Sequence, residues 1–200
     1  MLARICRFLK NTRGVAAMEF VLVLPLMIAL LFAIYEVGQF VRVNMQLSNA
    51  ASSMADLISQ QSTGVTSGTS GVLGNVCKAG ALMMTPFPTG AAAGPGAFSV
   101  AMASVTNYTS TAVTVDWESD HSCIATATAL GTQGAQGLAM APTNLLPNAG
   151  TPGDSVIIVR ATYQYSSVIQ YLIPSSFTLV QTAFARPRNN LTIACTAPCS

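Results

Sequence analysis

The 200-residue sequence has few charged residues, and this scarcity excludes several classes of protein. Charged residues make up 8% of the chain, whereas about a quarter is usual for a soluble domain. Beyond residue 14 the lysines and arginines are scattered, so the sequence lacks the clustered basic surface that nucleic-acid binding requires. We therefore expect no nucleic-acid partner.

The sequence also lacks the motifs that mark common enzymes. It has no GxSxG, no HExxH and no glycine-rich phosphate loop. Titratable groups concentrate only in DWESDH at 116–121, where strand alternation would put Asp116, Glu118 and Asp120 on one face and a weak Ca²⁺ site is conceivable. A solvated strand end is the favoured interpretation. Cys123 with His121 could suggest a thiol nucleophile and its base, but the two lie only two residues apart, which argues against that role. We expect no catalytic residue, no cofactor and no metal site.

What the chain does have is a long apolar run behind a basic leader. Residues 1–14 carry four bases and no acid, and residues 15–35 contain one charge, Glu19. At about 1.5 Å per residue, the run spans the ~30 Å hydrocarbon layer. It is too long for the apolar core of a signal peptide, and no small-x-small cleavage site follows, which favours a retained anchor. The basic end predicts a cytoplasmic N-terminus and an exported C-terminal part.

The helix is predicted to continue past the membrane to about Gln61. Apolar residues recur at alternating spacings of three and four, which indicates one apolar seam. We expect the lower, C-terminal half of the seam to pack on the chain's own domain, with contacts to neighbouring helices in addition. The predicted divisions are a leader at 1–14, a transmembrane helix at 15–38, an amphipathic extension at 39–61 and an exported head at 62–200. The seam consists of Phe40, Val43, Leu47, Ala50, Met54 and Leu57.

The head is predicted to be mainly an antiparallel sheet. A Gly/Ser/Thr linker at 62–71 ends the helix, and residues 72–84 suit a short helix. Alternating or β-branched runs predict strands at 98–105, 112–117, 123–129, 155–165 and 176–186, and residues 131–153 are typical of a long loop. A long helix followed by strands joined through loops is an α+β fold.

Four of the five cysteines follow the apolar run, and an even number in an exported domain indicates two disulfides. Four cysteines allow three connectivities. We favour Cys195–Cys199, across a turn that contains Pro198, together with Cys77–Cys123. Zinc is not expected, since the sequence has one histidine and no CxxC pair.

Residues 13–60 resemble a known family. The stretch RGVAAMEFVLVLPLMIALLFAIYEVGQF, followed by a tail with Leu47 and Ala50-Ala51, resembles the TadE/TadG-like proteins of bacterial tight-adherence (Tad, Flp-type IVb) pilus systems. The segment from 155 to 188 is similar to the end of such proteins, with a strand, a turn at Leu172-Ile173-Pro174, and a last strand that closes with Arg186-Pro187-Arg188.

The resemblance implies a minor pseudopilin of the bacterial inner membrane, with its head in the periplasm. It implies that a prepilin peptidase removes the leader after Gly14, which makes Val15 the N-terminus and Glu19 the fifth residue of the mature chain. Implied partners are other pilins or pseudopilins, through the N-terminal helix, and the Tad pilus platform proteins. TadG-like members keep their N-terminus, so an uncleaved bitopic scaffold or binding protein of the cell envelope is the alternative.

The residues themselves allow two interpretations of Glu19. After cleavage, the ammonium of Val15 and the carboxylate of Glu19 would lie one helical turn apart on the same face, where they can pair. Pairing with an opposite charge makes a carboxylate tolerable inside a membrane. Alternatively, Glu19 lies at the interfacial end of the helix, where the helix dipole favours a negative charge.

Overall fold

A single long helix runs through the whole N-terminal part of the protein. The structure, a computed structural model, describes residues 14–109, 112–134, 155–167, 176–188, 192–196 and 199. Helix α1 spans Val15–Ser59 and continues through Pro25. Its 45 residues form a rod of about 67 Å. The expected continuation past the apolar run is therefore present, and the helix ends slightly before the predicted position.

Three predicted features fall outside the described residues. These are the leader at 1–13, most of the loop at 131–153, and the turn at 172–174.

The C-terminal half of α1 packs on the head through the predicted seam. Four seam residues are fully buried, namely Val43, Leu47, Ala50 and Met54. Phe40 is partly buried, and its ring lies 5.2 Å from that of Phe177. The last predicted seam position differs: Leu57 is 40% exposed, whereas Ile58 is fully buried. A straight helix has 3.6 residues per turn, so a seam drawn with a 3.5-residue spacing drifts off the contact face.

Four antiparallel strands form the sheet on which α1 lies. Its order is β3-β2-β4-β5, with β2 at Phe98–Thr109, β3 at Ala112–Ser119, β4 at Ser155–Tyr165 and β5 at Phe177–Ala185. The α+β fold and four of the five predicted strands are confirmed. β4 is central and buried on both faces along its first half, which fits its β-branched composition.

The predicted strand at 123–129 is wrong. This segment has no strand pairing; it crosses the face of the sheet opposite α1, where Ala127 and Leu130 join a second apolar cluster with residues of β2 and β4. The free edge of β3 is occupied instead by the next residues of the chain, since the Gly134 N–H donates to the Val115 carbonyl over 2.8 Å. The segment covers the sheet without extending it.

A second helix and a two-stranded sheet complete the head. Helix α2 spans Val72–Met83, as predicted for 72–84, and packs against α1. Strand β1, Val65–Thr66, pairs in parallel with β6, Cys195–Thr196. The indole N–H of buried Trp117 donates to the Ile193 carbonyl over 2.7 Å. The C-terminal segment is thus held against both the sheet and the end of α1.

The position of the seam gives a stability prediction. Replacing Ile58 with Ala should lower the free energy of unfolding by about 2–5 kcal/mol, because it leaves a cavity in the core. Replacing its neighbour Leu57 with Ala should cost less than about 1 kcal/mol, because that side chain is 40% exposed. The measurement is urea unfolding of the full chain in detergent micelles, followed by the fluorescence of Trp117, the sole tryptophan.

Equal losses for the two variants, or a larger loss for Leu57→Ala, would show that the seam follows the spacing predicted from the sequence and that the observed packing is incorrect.

Candidate functional site at the anchor helix and the base of the head

The first half of α1 projects from the head and presents an apolar surface. Nearly all side chains described between 14 and 35 are exposed. Within Ala17–Ser59, an 18-residue window has a mean hydropathy of 2.6, and none of that window is buried. This is the one helix in the described part of the chain that is long and apolar enough to cross a membrane.

The predicted processing and assembly residues lie at the projecting end of α1. Gly14 is the N-cap, with φ at −88°, and a Cβ on it would meet no described atom within 4 Å. Packing and backbone conformation therefore do not account for a glycine at this position. Glu19 is exposed one helical turn after Val15, so the structure places both side chains on the surface that the head leaves uncovered.

A buried carboxylate marks the point where the head begins. Glu36 directly follows the apolar run, yet its side chain is only 2% exposed. The Ser167 hydroxyl, just after β4, donates to Glu36 Oε1 over 2.8 Å. The burial of Glu36 was not predicted from the sequence, although its spacing indicates it. Glu36 precedes Phe40 by four residues and so extends the predicted seam by one turn.

An aromatic groove lies beside Glu36 at the base of the head. This junction groove has a volume of ≈ 230 Å³ and is lined by residues of α1, β4 and the turn after α2, including Tyr35, Gln39, Phe87, Tyr163 and Tyr165. The rings of Phe87 and Tyr165 meet edge to face at 6.4 Å. The groove was not predicted from the sequence.

Both tyrosines of β4 are held in their neutral form. Burial, and then the neighbouring Tyr165, raise the pKa of Tyr163, whose hydroxyl donates to the Pro88 carbonyl over 3.0 Å. The pKa of Tyr165 is also raised, first by burial and then by the nearby Glu36 carboxylate and Tyr35. Glu36 therefore lies close to Tyr165, which lines the groove.

The acidic stretch at 116–121 has structural roles. Asp116 accepts hydrogen bonds from the hydroxyls of two β2 residues, Ser104 and Thr106. Glu118 is buried and accepts the backbone N–H groups of Leu130 and Gly131, the latter over 2.9 Å. These bonds hold the segment after β3 against the sheet.

The remaining groups of this stretch are an Asp–His pair and a disulfide-bonded cysteine. Asp120 contacts His121, which is mostly exposed, and Cys123 is bonded to Cys77 and so is not a free thiol. Within the described residues, no cluster of three or more His, Cys, Asp or Glu side chains could hold a metal ion.

The cysteines lie in the pairs that sequence analysis favoured. Cys77 and Cys123 have Cα atoms 5.6 Å apart and join α2 to the segment after β3. Cys195 and Cys199 form the second pair, with Cα atoms 6.1 Å apart. Both distances are within the usual range for disulfides.

Comparison with known proteins supports the resemblance for the helix. A family model described as TadE-like protein matches residues 14–56, which is nearly the whole of α1. The predicted resemblance to TadE-like proteins is therefore confirmed for this helix. No curated protein and no solved structure matches the chain significantly. Together with this match, the uncovered apolar helix indicates a membrane-anchored, single-pass protein.

The role of Glu118 gives a second prediction. Replacing Glu118 with Ala should lower the free energy of unfolding by about 2–4 kcal/mol, since it removes a charged acceptor and strands two backbone N–H groups. Replacing Asp120 with Ala should cost less than about 1 kcal/mol. Urea unfolding of the full chain in detergent, with and without Ca²⁺, measures both effects.

Stabilisation of the unmodified chain by millimolar Ca²⁺, lost in both variants, would contradict this assignment and restore a metal-binding role for the stretch.

Proposed function

We propose that this chain is a membrane-anchored minor pseudopilin of the TadE-like type, which assembles into a Tad/Flp-type pilus or a related secretion apparatus. The observation that carries the proposal is the TadE-like helix at 14–56, whose first half the head leaves uncovered. An apolar surface of this length needs a bilayer or other helices around it. A structural role of this kind needs no catalytic residue of its own, and the resemblance implies that a separate ATPase drives assembly.

The proposed topology places the N-terminus in the cytoplasm and the head in the periplasm of a bacterial inner membrane. The basic residues of the leader support this orientation. The two disulfides give independent support, because such bonds persist in an oxidising compartment.

The face of α1 that would contact other subunits is not the predicted seam. The seam is buried under the chain's own head. On the opposite side of the helix, an outer stripe stays exposed and continues the apolar surface beyond the level of Glu36; it consists of Ile34, Val37, Val41 and Met45. These positions follow a spacing of three and four, so they form one face. We assign contacts with pilins or pseudopilins to the anchor and this outer stripe.

Glu19 is proposed to select correctly processed subunits. A carboxylate among apolar side chains is costly unless an opposite charge lies close to it. Removal of residues 1–14 by a prepilin peptidase would create an ammonium on Val15, one turn from Glu19. In an assembly, Glu19 of an entering subunit can pair with the ammonium of its neighbour. An uncut subunit would not provide that charge in the membrane.

A second candidate function is an uncleaved, TadG-like scaffold or binding protein of the cell envelope. One observation favours it: the seam makes contacts within its own chain, as expected for a head that works alone on a permanent anchor.

Processing gives a third prediction. In cells with an active prepilin peptidase, mass spectrometry of the mature chain should find Val15 at the N-terminus. Replacing Gly14 with Leu should abolish the cut by blocking the peptidase subsite. Gly38→Leu is a matched control, because a Cβ at Gly38 would also meet nothing within 4 Å, and it should be processed normally.

Mature chains that retain residues 1–14 would refute the pseudopilin proposal in its cleaved form and support the uncleaved scaffold.

Glu19 gives a fourth prediction. Glu19→Ala should leave membrane insertion intact, since it makes the helix more apolar, yet abolish piliation by removing the charge pair. Glu19→Asp keeps the charge and should retain partial piliation. The measurements are membrane fractionation and pilus counts by electron microscopy.

Normal piliation by Glu19→Ala would remove Glu19 from the mechanism.

A further inference from the structure

The junction groove lies at a defined height on the helix. Tyr35 is the last residue of the apolar run, and Gln39 lies one turn further along; both line the groove. If the run from 15 to 35 fills the hydrocarbon layer, the groove extends from its edge to about 6 Å beyond. The headgroup layer of one leaflet is about 5–7 Å thick, so the groove opens at headgroup level.

The head is fixed at this height on α1 and cannot move independently of the helix. Glu36 is buried by the head one residue after Tyr35, and Phe40 packs its ring against Tyr165 and Phe177. The base of the head, and the groove with it, therefore lies at the membrane surface if the apolar run spans the bilayer.

The charge and shape of the groove favour a cation. Four aromatic side chains line it, from Tyr35, Phe87, Tyr163 and Tyr165, and none of its lining residues is cationic. The Glu36 carboxylate is buried next to the groove, one residue after Tyr35, and the raised pKa of Tyr165, caused first by burial and then by Glu36, is consistent with its proximity. Aromatic faces beside a carboxylate attract ammonium groups.

We propose that the junction groove binds the primary ammonium of a zwitterionic phospholipid headgroup of the phosphatidylethanolamine class. The aromatic rings surround the ammonium, and the side-chain amide of Gln39 provides a polar wall. Arg42 is exposed and lies one turn above Gln39 on the same side of the helix, so its long side chain can reach back to the lipid phosphate. The lipid would thereby fix the height and tilt of the head. This inference rests on single-pass anchoring alone, and a failure of the pilus proposal leaves it unchanged.

The test uses the full chain, extracted in mild detergent and exposed to equal amounts of phosphatidylethanolamine and phosphatidylglycerol. Native mass spectrometry should show one retained phosphatidylethanolamine, favoured over phosphatidylglycerol by about fivefold or more. N-acetylated phosphatidylethanolamine, which has no ammonium, should lose this preference.

A charge placed in the groove sharpens the test. Gln39→Lys should reduce retention of phosphatidylethanolamine by about tenfold, because like charges repel in the groove. Ser48→Lys adds the same charge at an exposed position further along α1 and should leave retention unchanged. Tyr35→Leu keeps an apolar side chain but removes one ring, and should weaken retention. Trp117 fluorescence verifies that each variant is folded.

Three results would overturn the proposal. The first is equal retention of the two natural lipids, and the second is full retention of the N-acetylated lipid. The third is an unchanged lipid preference in folded Gln39→Lys. A photo-crosslinker at Gln39 that captures a lysine of another protein, with no lipid preference, would assign the groove to a protein partner instead.

Discussion

The structure depends on one helix that meets two different surroundings without a break. Up to Tyr35 every side of α1 is uncovered and apolar; from Glu36 onward one side is buried under the sheet. Because the helix is continuous through this point, backbone hydrogen bonds rather than a linker connect the anchor with the head. The position of the head relative to the anchor follows from which face of the helix the sheet covers.

The buried carboxylate at this boundary is the part of the site that sequence could not supply. Helical spacing places Glu36 on the seam, but a charged residue at the end of an apolar run is normally solvated. Its burial needs a hydrogen-bond donor, and Ser167, which provides one, lies 131 residues further along the chain. The groove beside it is equally non-local, since α1, β4 and the turn after α2 each contribute to its walls. By contrast, the processing and assembly roles proposed for Gly14, Val15 and Glu19 rest on their local spacing along the chain and need no tertiary contact.

The strands show what alternation can and cannot predict. The predicted strand at 155–165 agrees with β4 in both bounds, because that run is rich in β-branched residues and both its faces are covered. Residues 123–128 also alternate between buried and exposed, as the pattern indicated, yet they form no strand. Alternation reports which side chains are covered, whereas a strand also requires a neighbour with free backbone groups. At the edge of β3, the Val115 carbonyl already accepts the N–H of Gly134.

Burial of the seam separates folding from assembly on the same helix. The face that includes Leu47 and Met54 stabilises the head, while the outer stripe and the anchor remain apolar and uncovered. A substitution on the outer stripe can therefore change the proposed contacts with other subunits without disturbing the core, and a seam substitution acts first on stability. The same division explains why the helix stays apolar on two opposite sides as far as Met45. One side packs against the head, and the other extends the exposed apolar surface of the first half of α1. A membrane anchor usually becomes polar on its free side once it leaves the bilayer, so the exposed outer stripe is the feature of α1 beyond Tyr35 that its own head does not explain.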